Sequence, residues 1–190
     1  MVEIRLHGRG GQGAVLAGNI LASALAREGR QVVAIPSFGF ERRGAPVASF
    51  LRFDTREIRQ MTNIYAPDCV LCIDPTVGRA VNIFEGIKDG AYWVQTSAKP
   101  IAELQFSDKI ATVGLCDAVG IALEVFRRSI TNTIMLGALA RTTGFVSLDS
   151  LTAAIEASDF RDAGLKQNLE ALERGYHETV VHHIERRVAA

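Results

Sequence analysis

Val2-Glu3-Ile4-Arg5-Leu6-His7-Gly8-Arg9-Gly10-Gly11-Gln12-Gly13-Ala14-Val15-Leu16 is the stretch that decides the fold. From residue 2 to residue 7, Val2, Ile4 and Leu6 alternate with Glu3, Arg5 and His7, the two-residue period of a strand. After Gly13 the period lengthens. Val15, Leu16, Ile20, Leu21 and Leu25 recur at helical spacing from Ala14 to Arg27, alanines fill the gaps, and Gly29 supplies the stop. Gln31-Val32-Val33-Ala34-Ile35 then reads as a second strand. Strand, helix, strand in that order predicts two parallel strands joined by a right-handed crossover.

Gly8, Gly10 and Gly13 satisfy G-x-G-x-x-G between that strand and that helix, which is the context the pattern requires. Glycines there can take positive φ and let a ligand or another backbone approach, while the helix start offers free N–H groups and a positive dipole end. An anion or a neighbour's carbonyl would be stabilised at that spot, and Arg9 and Gln12 are expected to aim at the opening. The nicotinamide reading lacks a part: a dinucleotide fold places Asp or Glu about 20 residues on to hold the ribose, and here the second strand ends Ala34-Ile35-Pro36-Ser37. A triphosphate P-loop is excluded because Ala14 and Val15 stand where Lys and Ser or Thr belong. The plainer alternative is that the glycines only permit tight strand-to-helix packing.

Working outward, Pro36 to Pro46 is a non-periodic loop that holds Glu41-Arg42-Arg43-Gly44. Adjacent guanidiniums in a turn are often merely solvated, but long irregular loops tend to be functional and Arg suits fork-like recognition of carboxylate or phosphate. Strands are expected at 47–53, 69–73, 92–95 and 110–114, and helices at 77–87, 117–127, 132–143, 147–157 and 165–187, with Leu169, Leu172, Tyr176, Val180 and Ile184 on one side of the last. This alternation predicts an α/β fold: a doubly wound, mostly parallel, Rossmann-like sheet with C-terminal helices, in one domain over 1–190 with a helical extension over about 147–190. In such a sheet the loops after the first and second strands emerge at one edge, so the glycine turn and the Arg loop are expected to face one site.

The chain has 190 residues, of which 48% are hydrophobic, enough for one sizeable core. Its 21 Lys and Arg balance 21 Asp and Glu, so no global field draws nucleic acid or anionic membrane, and any anion binding must be local. No apolar run suits a membrane span and the first residues do not resemble a signal peptide, which predicts a soluble, cytoplasmic protein. Cys69 and Cys72 form a C-x-x-C within an expected strand, where residues three apart point to opposite faces and cannot chelate one ion. With Cys116 they make three thiols, short of the four an iron–sulfur cluster normally takes, so no metal site is expected. His7, His177, His182 and His183 form no catalytic set, and the last three are expected on the solvated side of the terminal helix.

Gly8-Arg9-Gly10-Gly11-Gln12-Gly13, together with Pro36-Ser37-Phe38-Gly39 and Glu41-Arg42-Arg43-Gly44-Ala45-Pro46-Val47, resembles the gamma subunit of 2-oxoacid:ferredoxin oxidoreductases. The resemblance continues through Asp68, Asp74-Pro75, Asn132-Thr133 with Met135-Leu136-Gly137-Ala138, and Asn168-Leu169-Glu170-Ala171-Leu172-Glu173-Arg174-Gly175-Tyr176. Phe40 departs from the family pattern, where a small residue or proline is expected, and bears on the substrate used. The resemblance implies a complex that decarboxylates a 2-oxoacid such as pyruvate, a branched-chain oxoacid, 2-oxoglutarate or an aryl-glyoxylate. The complex uses thiamine diphosphate with magnesium (Mg), passes electrons through 4Fe-4S clusters to ferredoxin or another acceptor, and acylates coenzyme A. It further implies alpha and beta subunits and a ferredoxin-like delta subunit as partners, which hold the cofactors, and no catalytic residue in this chain. Gly8, Arg9, Gly10, Gly11, Gln12, Gly13, Glu41, Arg42, Arg43 and Gly44 are the candidate site residues, as contacts to coenzyme A, another anion or a partner subunit. The alternative reading is a free-standing nucleotide- or flavin-binding oxidoreductase.

Overall fold

A computed structural model of the chain describes residues 1–36, 44–158 and 164–184. Glu41, Arg42 and Arg43 lie outside the described residues. The strands are β1 (Val2–Arg9), β2 (Gln31–Pro36), β3 (Pro46–Asp54), β4 (Cys69–Cys72), β5 (Ala91–Thr96), β6 (Ile110–Cys116) and β7 (Val180–His183). The helices are α1 (Ala14–Arg27), α2 (Ala118–Phe126), α3 (Asn132–Thr143), α4 (Leu148–Glu156) and α5 (Leu165–His177).

The strands form one sheet in the order β2-β3-β1-β4-β5-β6-β7. Its centre, β1-β4-β5-β6, is parallel, and it is flanked by the antiparallel pairs β2-β3, β3-β1 and β6-β7. The expected α/β architecture is therefore present, with one difference in its first unit. β1 and β2 run the same way, but β3 lies between them. Burial explains the insertion: Val47, Phe50, Leu51 and Phe53 make β3 apolar on both faces, whereas β2 is half-exposed and suits an edge.

The two faces of the sheet are covered unequally. Ile4, Leu6, Leu51, Cys69 and Leu71 share a core with residues of α1, α2, α3, α4 and α5. Val70, Cys72, Trp93, Val113 and Leu115 point the other way, into a smaller core with Val77, Ile83 and Ile87 from irregular chain. Short 3-10 turns at Pro75–Arg79 and Ile101–Glu103 lie in the segments on that side. The helix expected over 77–87 is thus a 3-10 turn followed by bends, since Gly78, Asn82 and Gly86 are poor helix formers and Gly86 takes φ 68°.

The expected terminal helix over 165–187 is also corrected. α5 stops at His177, and Val180–His183 pairs antiparallel with β6 as β7. Thr179 is buried and its hydroxyl donates to Gly175 O at the helix end, while Val180 and Val181 are β-branched and favour a strand. His177 therefore ends α5, whereas His182 and His183 stand on the sheet edge.

Candidate functional site

The sheet reverses its winding direction between β1 and β4, and in open α/β sheets the crevice outside the carboxyl ends of such strands is the usual ligand site. β1 ends there in the glycine turn. Gly11 and Gly13 take φ 89° and 75°, and Gly13 caps α1 without a side-chain hydrogen bond. A Cβ on Gly13 would lie 2.5 Å from Asn132 Nδ2, so glycine is required twice over, for conformation and for space. The start of α3 is held against the turn in this way.

The polar side chains of the turn face inward. Gln12 Oε1 accepts from the Arg9 backbone N–H at 2.7 Å, and Gln12 Nε2 donates to Asp74 Oδ2 at 2.8 Å. The Arg9 guanidinium donates to Thr76 Oγ1, Thr76 O and Gly44 O at 2.8–3.0 Å and pairs with Asp74 at 3.3 Å. Burial alone would push the Asp74 carboxyl up, but hydrogen bonds from Thr76 and Gln12 and the Arg9 charge together hold it below the usual carboxylate range. Arg9 and Gln12 thus lock the crevice rather than project from it.

Gly10 donates to Ala45 O at 2.9 Å and accepts from Gly44 N at 3.1 Å. The glycine turn and the end of the Arg loop therefore meet as one backbone surface, as sequence reasoning expected of Gly44; the remainder of that motif lies outside the described residues. Beside this junction a cavity of about 320 Å³ is lined by Arg9, Gly10, Gly11, Gly13, Ala14, Val15 and Val47. Its floor is the start of α1, whose first turn carries no acidic residue. A second cavity, of about 370 Å³, lies across Gln12 at the ends of β4, β5 and β6, between Asp74, Thr96, Ser97 and Asp117.

The thiols do not make a metal centre. Cys69 points into the helical core and Cys72 into the opposite one. Burial, then the nearby carboxylate of Asp74, pushes the Cys72 thiol up to about 12; burial is the main cause that raises Cys116 to about 11, against an opposing hydrogen bond with Thr179; and Cys69 is pushed up further, by burial first. Neutral thiols on two sides of a sheet do not fit an iron–sulfur cluster. Among the described residues no cluster of His, Cys, Asp and Glu is arranged to hold a metal ion, and no helix is long and apolar enough to cross a membrane.

Residues 3–178 match the protein-family model described as pyruvate ferredoxin/flavodoxin oxidoreductase. The chain belongs to that family. Over 190 residues, all of both chains, it is 63% identical to the gamma subunit of an NADH-dependent phenylglyoxylate dehydrogenase from Aromatoleum evansii. It is 46% identical to the common gamma subunit of the pyruvate/ketoisovalerate oxidoreductases of Thermococcus kodakarensis, covering 97% of this chain and all of that one. The crystal structure of pyruvate oxidoreductase subunit PORC from Thermotoga maritima superposes with a TM-score of 0.79 at 36% identity, covering 95% of this chain and 97% of that one. As a member of the pyruvate ferredoxin/flavodoxin oxidoreductase family, the chain is a gamma-type subunit of an oxidoreductase complex.

The motifs that carried the family resemblance have structural work in common. Asn132 covers Gly13, the Thr133 hydroxyl donates to Asn168 Oδ1 at 3.1 Å, and Gly137 and Gly175 let α3 and α5 touch backbone to backbone. Asp68 accepts from the Glu3 N–H at 2.8 Å and from Lys88 Nζ at 2.9 Å, tying β1 to the start of β4. Sequence reasoning assigned no role to Arg5, which is buried beside His7 on β1. The available signal was position: a first strand placed mid-sheet has two covered faces, so its alternate charged residues cannot be solvated.

Proposed function

We propose that this chain is the gamma subunit of a complex that oxidatively decarboxylates a 2-oxoacid and transfers the acyl group to coenzyme A. The observation that carries the reading is the likeness to the Aromatoleum evansii chain over the whole length of both. That likeness, stronger than the one to the pyruvate/ketoisovalerate subunits, favours an aryl-glyoxylate as the oxoacid and NAD as the electron acceptor in place of ferredoxin. Thiamine diphosphate with Mg supplies the electron sink for decarboxylation, and 4Fe-4S clusters carry the electrons; alpha, beta and ferredoxin-like delta subunits hold them. The donor set here supports that division, because the buried thiols of Cys69, Cys72 and Cys116 suit packing and not cluster ligation.

In this reading the chain acts as one gamma-type domain, inert alone, in a reducing cytoplasm. Its contribution is the surface made of Gly8–Gly13 and Glu41–Gly44. The start of α1 offers backbone N–H groups and a positive dipole end to a coenzyme A phosphate or to a partner's carbonyl, while Arg9 and Gln12 keep the turn rigid. Arg42 and Arg43 add the charge that the turn itself spends internally.

Two experiments test this. Purification of the native complex should yield this chain with the other subunits and activity on phenylglyoxylate, coenzyme A and NAD together. In the same complex Arg42→Ala with Arg43→Ala should raise the Michaelis constant for coenzyme A or loosen subunit retention; no change in either or in turnover defeats the assigned role. A dinucleotide bound stoichiometrically to the purified chain would instead favour the free-standing oxidoreductase.

A further inference from the structure

The cavity of about 370 Å³ across Gln12 stands over the carboxyl ends of β4, β5 and β6, at the end of the helical core. Thr96 and Thr131 line it and are only 6% and 5% exposed. Alternation along β5 puts Thr96 on the face of Val94, which packs among the helices, and Thr131 stands immediately before α3. Neither side-chain hydroxyl has a hydrogen-bond partner among the described residues. The unpartnered polar side-chain atoms sealed from water there are Arg5 Nε and His7 Nε2, so the hydroxyls of Thr96 and Thr131 stay open to the space they line.

The other buried threonines show how this fold otherwise handles such groups. Thr133 donates to Asn168 Oδ1 at 3.1 Å, Thr142 to Ala138 O at 2.7 Å and Thr179 to Gly175 O, while Thr112 shares a hydrogen bond with His183 Nδ1 at 3.3 Å. The two exceptions among the described residues face one cavity. Thr at a helix N-cap normally accepts from the first turn, yet the Thr131 hydroxyl caps nothing. Buried hydroxyls left without partners in the chain are costly unless something else bonds them.

The rest of the lining narrows what that is. Thr96 pairs with Cys116 across the parallel strands and the Ser97 N–H donates to Cys116 O at 2.8 Å, which brings Asp117 beside them. One Asp117 oxygen accepts from the Gly120 N–H at 3.0 Å, and the other is unbonded among the described residues. Asp74, on the other wall, is already occupied by Thr76, Gln12 and Arg9. No Lys or Arg lines the cavity, so a phosphate would meet carboxylates without a counter-charge. Ile73, Pro75, Ala98 and Val119 supply apolar wall, and Val119 leaves 41% of its surface uncovered. The volume lies in the range of small-molecule sites, and the carboxyl ends of parallel strands are where such sites form.

We propose that this cavity binds the vicinal diol of a small sugar or nucleoside, its hydroxyls on Thr96 Oγ1 and Thr131 Oγ1, with Asp117 as an acceptor at the rim. A hydroxyl both donates and accepts, so each threonine satisfies a ligand hydroxyl in either sense. The bare surface of Val119 suits a flat ring and favours a nucleoside over a free sugar. The inference concerns this chain alone, and reversible binding of this kind leaves its place as a subunit untouched.

The test is a titration of the isotope-labelled full chain with adenosine, 2′-deoxyadenosine and ribose, following the Thr96 and Thr131 methyl groups by nuclear magnetic resonance. Saturable shifts at both with a dissociation constant of about 1 mM or tighter are expected for adenosine, and about fivefold or more weaker binding for 2′-deoxyadenosine, which lacks one hydroxyl of the diol. Ribose binding as tightly as adenosine supports the diol with a free sugar as its source; weaker ribose supports the nucleoside. Thr96→Val and Thr131→Val should each weaken adenosine by about fivefold or more and leave the thermal midpoint unchanged, because no bond within the chain is lost. Absence of shifts at about 10 mM adenosine and ribose, equal affinity for 2′-deoxyadenosine, unchanged affinity in both variants, or tighter binding of inorganic phosphate at the same residues overturns the proposal. The deoxy comparison uses the unaltered chain and so does not depend on how a variant folds. Adenosine binding should persist in the assembled complex; its loss there assigns the two hydroxyls to a partner contact and overturns the free ligand.

Discussion

The two sides of β1 follow different rules although they alternate residue by residue. Ile4 and Leu6 meet helices, are fully buried, and gain by being removed from water. Arg5 and His7 meet irregular chain, are almost as buried, and keep polar atoms without partners. Helices satisfy their own backbone and can press a dry apolar surface onto a sheet; loops bring carbonyls and cavities with them. The helical side therefore serves stability through dry apolar contact, and the other side holds buried polar groups that irregular chain only partly satisfies.

The contrast breaks most severely where helices touch without side chains between them. A Cβ on Gly175 would run into the Ile134 backbone, so Gly175→Val should cost on the order of 3–4 kcal/mol or more and leave little folded chain, as read by urea denaturation. Next, Leu6→Ala on the helical side should cost about 2–5 kcal/mol in the same measurement.

Acid sharpens the comparison from the other side. His7 is held at about 4 when folded, against about 6.5 when unfolded, so the unfolded chain takes up the proton first. Its stability contribution is intact above pH 6.5 and is lost as pH falls from about 6.5 to about 4, by up to about 3 kcal/mol. His7→Leu should remove that part of the acid sensitivity, seen as the difference between the two stability-against-pH curves.

Gly13→Ala places a side chain in the left-handed region and against Asn132, and should lower stability by about 1–2 kcal/mol in thermal unfolding. The smallest effect is expected from His7→Leu at pH 7. No hydrogen bond is lost and an orphaned nitrogen is removed, so the change should stay within about 1 kcal/mol, in contrast to its neighbour Leu6.

Much of the fold was legible where period and punctuation agree. α1 over Ala14–Arg27 and α3 over Asn132–Thr143 coincide with their sequence reading, because apolar spacing, small residues and a glycine stop all point one way. The insertion of β3 between β1 and β2 was not legible, since strand partners are chosen by contacts distant in sequence. β7 was obscured by Val180 and Ile184, which extend the helical spacing of α5 past Glu178; the β-branched pair Val180-Val181 was the contrary signal. Of the site, the junction of the glycine turn with Gly44 was foreseeable from sheet topology. The inward locking of Arg9 and Gln12 was not, because it depends on Asp74 and Thr76 from a different crossover.

The C-x-x-C across β4 has one more use. A thiolate reacts with an alkylating reagent and a buried neutral thiol does not, so each cysteine here is silent until its surroundings open. Cys69 sits under the helices and Cys72 under the loops. Timing the two labels separately by mass spectrometry turns one short strand into a pair of clocks, recording which cover of the sheet lifts first and whether partner subunits hold it down.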